Sequence, residues 1–179
     1  MKIGEIEIID NFLEEENFEI VKQILGTDIV WVYNEILPYE GDDRLLADQT
    51  FNYQYVHSVI HNNEIESGFY NALKQSGVFK KLKVRALCRV KFNSICREEK
   101  IITHGFHQDM YFDGWPDGVD GVKTSILYIN TNDGFTVFED GTKVKSIANR
   151  VVTFPVSYRH SGTTCTNCPR RVALNMVYF

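Results

Sequence analysis

Apolar and acidic residues alternate over residues 3–9, with Ile6 and Ile8 set against Ile3, Glu5 and Glu7, which is the period of a half-buried strand. Asp10 and Asn11 break that pattern. Residues 14–25 then take the period of a helix: acids gather in the first turn, Phe18, Val21, Ile24 and Leu25 share one face, and Gly26 follows. A second helix is predicted over residues 63–75, with Ile65, Phe69, Ala72 and Leu73 as its buried stripe and Gly77 as its stop. Residues 29–55 between the two read as irregular, aromatic and turn-rich, notably at 40–43. From residue 84 onward the pattern changes to short β-prone runs separated by Gly, Asn and Asp, predicting strands over 84–92, 104–109, 123–130, 135–139, 143–146, 150–158 and 171–179. Asn132-Asp133-Gly134 and Asp140-Gly141 are hairpin signals. Helices first and strands afterwards predict a mainly β fold with flanking N-terminal helices, a barrel or two-sheet jelly roll with a helical layer outside.

Length and composition narrow this picture. The 179 residues, 44% of them hydrophobic and 13% aromatic, suffice for one domain over 1–179, with residues 1–83 as a supporting layer and 84–179 as the jelly-roll core. No repeat, low-complexity tract or linker divides it. A formal charge of −5, with Lys and Arg spread along the chain, removes the electrostatic footprint of a general nucleic-acid or anionic-membrane binder. The acidic start and the absence of a long apolar run lead us to expect a cytoplasmic protein without a membrane span. The four cysteines do not make a secreted disulfide framework, and reduced thiols are expected.

The candidate chemistry lies in the strand-rich half. If residues 104–109 are extended, the period of two puts His107 and Asp109 on one face, where their side chains converge as metal ligands must; the competing reading is a surface turn with a solvated Asp. Val152, Phe154, Val156, Tyr158 and His160 fall on one strand face, so His160 stands at the end of an apolar interior row, either as a hydrogen-bonded core residue or as a third ligand. Two His and one carboxylate are the donor set of a mononuclear non-haem iron site. Arg171 shares a face of the last strand with Ala173, Asn175 and Val177. An inward guanidinium must find an anion, because burying it unpaired is very unfavourable, and its planar fork suits a carboxylate. The alternative is that Arg170-Arg171 forms a charged strand entry paired with surface acids.

These residues resemble the iron(II)- and 2-oxoglutarate-dependent dioxygenases, and among them the prolyl-4-hydroxylase-like branch. The resemblance rests on His107-Gln108-Asp109, on His160, and on Arg171 to Phe179, which is similar to that branch's terminal strand. Ser125 to Asn130, the acidic hairpin at 132–141 and the entry Ile8 to Leu13 fit it as well. It implies a double-stranded β-helix, the cupin-like jelly roll, in which His107, Asp109 and His160 hold Fe(II). It further implies that 2-oxoglutarate and O2 are cosubstrates, that ascorbate serves as reductant, and that Arg171, helped by the hydroxyl of Tyr128, grips the distal carboxylate. The implied reaction is hydroxylation of a C–H bond in a small-molecule or peptide substrate, a prolyl or other amino-acid side chain; oligomeric state is left open. The sequence departs from the branch in two respects. The stretch from His160 to Arg171 is long, and strand 84–92 carries Arg89 and Lys91 where a Tyr is common, which makes Lys91 a candidate second anion contact.

A cupin-type metal protein with non-oxidative chemistry, or an inactive jelly-roll binding module, would use similar residues, but neither needs an inward Arg171. Cys165-Thr166-Asn167-Cys168 reads as a loop, since no second Cys pair completes a zinc site. His104 is expected to support the site from behind, and His57 and His61 to be solvated. Two segments are candidates for the pocket mouth and lid: the aromatic loop at 110–116, and residues 39–57.

Overall fold

A computed structural model describes residues 2–35, 53–111 and 119–179. The chain runs β1 (Lys2–Ile3), β2 (Ile6–Ile9), α1 (Glu15–Ile24), β3 (Val32–Glu35), β4 (Tyr53–His61), β5 (Glu64–Ile65), α2 (Phe69–Gln75), α3 (Val78–Lys81), β6 (Leu87–Cys96), β7 (Lys123–Tyr128), β8 (Phe135–Phe138), β9 (Lys143–Lys145), β10 (Val151–Pro155), β11 (His160–Gly162) and β12 (Arg170–Tyr178). Antiparallel pairing orders the large sheet β1-β2-β10-β7-β12-β6-β4-β3, with β5 on β4, and the small sheet β11-β8-β9. This is the mainly β, two-sheet jelly roll with helices outside.

The alternation along each strand decides which layer a residue joins. Val90, Phe92, Leu127, Val151, Leu174 and Met176 leave the large sheet on the side of the helices and pack with Phe18, Val21, Ile24 and Leu73. Ile126, Tyr128, Val152, Phe154 and Ala173 leave it on the other side and pack against Phe138 and Val144 of the small sheet. Asn149 ties the two halves together: at φ 60° it accepts from the backbone N–H of Leu13 at 2.8 Å and donates to the Leu13 carbonyl at 2.7 Å. That clamp fixes the entry into α1 against the barrel.

Several predicted elements take another form. The helix expected over 63–75 is α2 alone. Asn62 and Asn63, at φ 49° and 66°, turn β4 back into β5, which leaves Ile65 59% exposed on a strand instead of buried on a helix. Within the stretch read as irregular, 32–35 and the first residues of 53–61 are paired strands. No strand spans 104–109; single bridges, Thr103 to Thr163 and His107 to His160, hold that segment. The predicted strand 150–158 ends at Pro155, and His160 opens a separate strand in the small sheet, although its ring still lies 4.7 Å from that of Phe154. Among the described residues no helix is long and apolar enough to cross a membrane. The expected loop at 110–116 and the expected lid at 39–57 fall largely outside the described residues.

Candidate metal centre

His107 and His160 face each other across their bridge. Each backbone N–H donates to the other's carbonyl at 3.0 Å, the hydrogen-bonded pair of an antiparallel ladder, and the rings come to 4.9 Å between centroids. In both residues the ring Nδ1 lies 3.1 Å from the carbonyl two positions back, Gly105 for His107 and Tyr158 for His160. A carbonyl only accepts, so Nδ1 carries the proton and each Nε2 directs its lone pair inward, the arrangement that orients metal-binding imidazoles. Gln108 points away and donates to the Ser157 carbonyl, which lets Asp109 return to the side of His107 although no strand is formed.

The donor atoms of His107, Asp109 and His160 all lie within 4.8 Å of one another, and they form the metal-capable cluster among the described residues. His160 Nε2 stands 3.4 Å from Asp109 Oδ2. With Nδ1 protonated, two lone-pair donors confront each other there in a buried setting, and a cation between them removes the conflict. Two imidazoles and one carboxylate fit a borderline divalent ion such as iron(II).

Asp109 is further held by two neighbours. Arg89 donates to Oδ1 at 2.6 Å and Asn175 to Oδ2 at 3.0 Å, while Arg89 also donates to the Asn175 side-chain Oδ1 at 3.3 Å. Burial by itself would raise the Asp109 carboxyl; the surrounding basic groups, His160, Arg89, His107 and Lys91, outweigh it and keep the carboxyl well below its usual range. Burial, followed by His160, pushes His107 down to about 4, so the imidazole is neutral and available to a metal at physiological pH. His104 backs the site: it is buried, likewise taken down to about 4 by burial with Arg171 and His107, and its carbonyl accepts from Ser161 at 2.7 Å.

Arg171 closes the other end of the same cavity, whose volume is about 210 Å³. It is only 4% exposed. Nε donates to Ser146 Oγ at 2.7 Å and Nη2 to Thr136 Oγ1 at 3.1 Å, and the guanidinium lies 5.4 Å from the Tyr128 ring centre. All of these partners are neutral, and burial pulls its basicity down. Two glycines make room for it. A Cβ on Gly134 would sit 2.9 Å from Arg171 Cδ and 2.7 Å from the Thr164 carbonyl oxygen, and one on Gly162 would sit 3.2 Å from Nη1. Ile95, Ile126 and Ala173 form an apolar stretch of wall between the guanidinium and the metal donors.

The other sequence candidates have definite places. Tyr128 is fully buried behind Arg171, with its hydroxyl donating to Thr136 at 2.8 Å, so it supports the guanidinium from behind and does not line the cavity. Lys91 lines the cavity near Asp109. His57 is not solvated as expected: Nδ1 lies 2.8 Å from the Val30 carbonyl, Nε2 lies 2.9 Å from Ser67 Oγ, and the ring packs on Phe69. His61 is exposed. Cys165 and Cys168 bring their sulfurs to 3.6 Å in the turn before β12, and all four cysteines are free thiols. Sequence reasoning missed the clamp of Arg89 and Asn175 on Asp109, though both residues stand on the inward faces of their strands, and it missed Thr136 and Ser146 beneath Arg171.

No family model and no curated protein sequence matches the chain. Solved structures do match its shape. An oxidoreductase of the 2OG-Fe(II) oxygenase family from Burkholderia pseudomallei superposes with a TM-score of 0.66 at 11% identity, covering 97% of this chain and 84% of that one. A prolyl hydroxylase from Trichoplax adhaerens, in complex with a peptide fragment of hypoxia inducible factor, gives 0.61 at 15% identity over 98% and 84%. HygX from Streptomyces hygroscopicus, with nickel and 2-oxoglutarate bound, gives 0.59 at 10% identity over 97% and 82%. The fold of this chain is therefore that of the 2-oxoglutarate- and iron(II)-dependent oxygenases and prolyl hydroxylases.

Proposed function

We propose that the protein is an iron(II)- and 2-oxoglutarate-dependent oxygenase that hydroxylates a C–H bond of a small-molecule or peptide substrate. The observation that carries this reading is one cavity with two His and one Asp converging at one end and a buried, acid-free Arg171 at the other. Bound iron(II) with 2-oxoglutarate and O2 supplies oxidative decarboxylation, yielding succinate, CO2 and a hydroxylated product. The protein's own residues do the rest. His107, Asp109 and His160 would hold the metal, with the cavity beside them free for ligands. Arg89 and Asn175 fix the orientation of the carboxylate. Arg171, steadied by Ser146 and Thr136 and backed by Tyr128, receives the distal carboxylate as a charge-assisted pair, while Ile95, Ile126 and Ala173 border the methylenes and exclude water.

A metal-binding jelly roll with non-oxidative chemistry has no use for a guanidinium opposite the metal, so Arg171 favours the oxygenase. The test is direct. Protein supplied with iron(II), ascorbate and 2-oxoglutarate forms succinate slowly even without primary substrate, and His107→Ala or Asp109→Ala loses iron. Calorimetry on the metal-loaded wild type that detects no 2-oxoglutarate binding ends this reading, as does unchanged metal stoichiometry in both ligand variants.

A further inference from the structure

β6 turns Arg89, Lys91, Asn93 and Ile95 toward the cavity. Arg89 is engaged by Asp109, but Lys91 forms no ion pair with a carboxylate among the described residues. Asp109 is the acid on the described cavity wall, and both of its oxygens already accept from Arg89 and Asn175. One step along the same strand face, Asn93 Oδ1 is buried without a hydrogen-bond partner. Asn34 of β3 and Gln54 of β4 continue this wall with neutral hydrogen-bonding groups. Burial and the neighbouring Arg89, against the attraction of Asp109, push Lys91 down to about 8, which still leaves the ammonium charged at neutral pH.

Sheet register keeps this cation apart from the first one. Arg171 pairs with Ile95 and Asn175 with Lys91, four residues along β12, so the two positions are about 13 Å apart at the rise of a strand. Lys91 therefore leaves the sheet at the end of the cavity where Asn175 holds Asp109, and Arg171 at the other. When the centre is filled as proposed above, iron(II) and Arg171 more than offset the two carboxylates of 2-oxoglutarate, and Arg89 offsets Asp109. Lys91 adds a further positive charge to a buried site already in excess, and such a charge calls for an anion.

We infer that Lys91, with Asn93 beside it, receives an acidic group of the primary substrate, a carboxylate or phosphate, whose adjoining N–H or O–H donates to Asn93 Oδ1. The substrate is then an acid bound by its charge and not a neutral peptide segment. This assignment rests on the oxygenase reading of the same site.

The test uses the full chain loaded with manganese(II) and saturated with 2-oxoglutarate, without oxygen. The probes are three matched series, N-acetyl amino acids, their neutral carboxamides and amino-acid amides, together with phenyl phosphate. Paramagnetic broadening of probe NMR signals reports binding beside the metal without any turnover. Anionic probes are expected to bind about thirtyfold more tightly than neutral ones, as loss of a buried charge partner predicts. Whether the carboxylates or phenyl phosphate gain most identifies the acid. Lys91→Gln is expected to erase the preference, Lys91→Arg to keep it, and Asn93→Asp to shift it toward the cationic series, with Lys91→Gln and Lys91→Arg still binding 2-oxoglutarate by calorimetry. Wild type without a preference for anions overturns the inference, as does a preference that survives Lys91→Gln. A Lys91→Gln protein that loses 2-oxoglutarate instead makes Lys91 a cosubstrate residue and overturns it too. Failure of the wild type to bind 2-oxoglutarate is a different result, and removes the oxygenase reading beneath it.

Discussion

Replacing Arg171 by Met separates what this residue does for folding from what it does for a ligand. Its guanidinium is buried at 4% exposure and donates to two neutral hydroxyls, at 2.7 and 3.1 Å. Removing such a charge from water costs several kcal/mol, and each hydrogen bond from a charged donor returns about 1.5–3 kcal/mol. The balance lies near zero or below, while Met keeps most of the volume of the stem. The ligand-free variant is therefore expected to be as stable as wild type, or more stable by up to about 2 kcal/mol. With 2-oxoglutarate present the sign reverses. Stripping one partner from a buried charge pair costs about 3–5 kcal/mol, or about two to nearly four orders of magnitude in affinity. Urea unfolding of ligand-free protein gives the first quantity, and calorimetry on metal-loaded protein gives the second. A ligand-free variant that loses more than about 2 kcal/mol would show that Arg171 is part of the scaffold. A fall in 2-oxoglutarate affinity of less than about tenfold would show that the guanidinium does not meet the diacid.

The remaining expectations concern the surroundings of the site. In metal-free protein, His104 and His107 have pKa values lowered to about 4, so the folded state binds fewer protons than the unfolded one below pH 6.5. The stability this provides is complete above about pH 6.5 and is lost as pH falls toward 4, at about 1.4 kcal/mol per pH unit for each titrating histidine. Urea midpoints that stay flat between pH 6.5 and 5 refute it. Gly162→Ala places a methyl 3.2 Å from Arg171 Nη1 and 3.5 Å from Ile95 Cδ1, flexible atoms that can yield; it is expected to fold normally yet bind 2-oxoglutarate about tenfold more weakly. Gly134→Ala meets the Thr164 backbone oxygen at 2.7 Å and is expected to lose about 1–3 kcal/mol of stability, so equal melting temperatures for the two variants contradict this distinction. Asn149→Ala removes both bonds to Leu13 from a residue at φ 60° and is expected to cost about 2–4 kcal/mol in urea unfolding, with metal stoichiometry retained; a loss below about 1 kcal/mol refutes the clamp.

Legibility of the fold followed how far each residue's environment depends on its neighbours in sequence. β12 was readable because its alternation separates Arg171, Ala173 and Asn175 from Val172, Leu174 and Met176 over many residues, and both sets are buried for different reasons. The helix predicted over 63–75 failed because Ile65, Phe69, Ala72 and Leu73 match a helical stripe, while Asn62 and Asn63 tolerate the left-handed turn that makes a hairpin of the same stretch. β4 gave little signal because both of its faces are half-buried. His107 and Asp109 came together as expected but through a different local form, a single bridge in place of a strand. The contact of Arg89 with Asp109 spans twenty positions and joins β6 to a segment outside any strand, and no local periodicity encodes such a pairing.

β12 lies between β7 and β6, so those two strands, both earlier in the chain, have no direct hydrogen bonds to each other. Without residues 170–178 the large sheet is two separate pieces, β1-β2-β10-β7 and β6-β4-β3. The same strand delivers Arg171 and Asn175, which means that the diacid anchor and one half of the grip on Asp109 arrive together with the closing of the sheet. His107 and Asp109 thus precede by some sixty residues, and His160 by ten, the strand that completes their setting, so the metal site proposed above is tied to completion of the barrel.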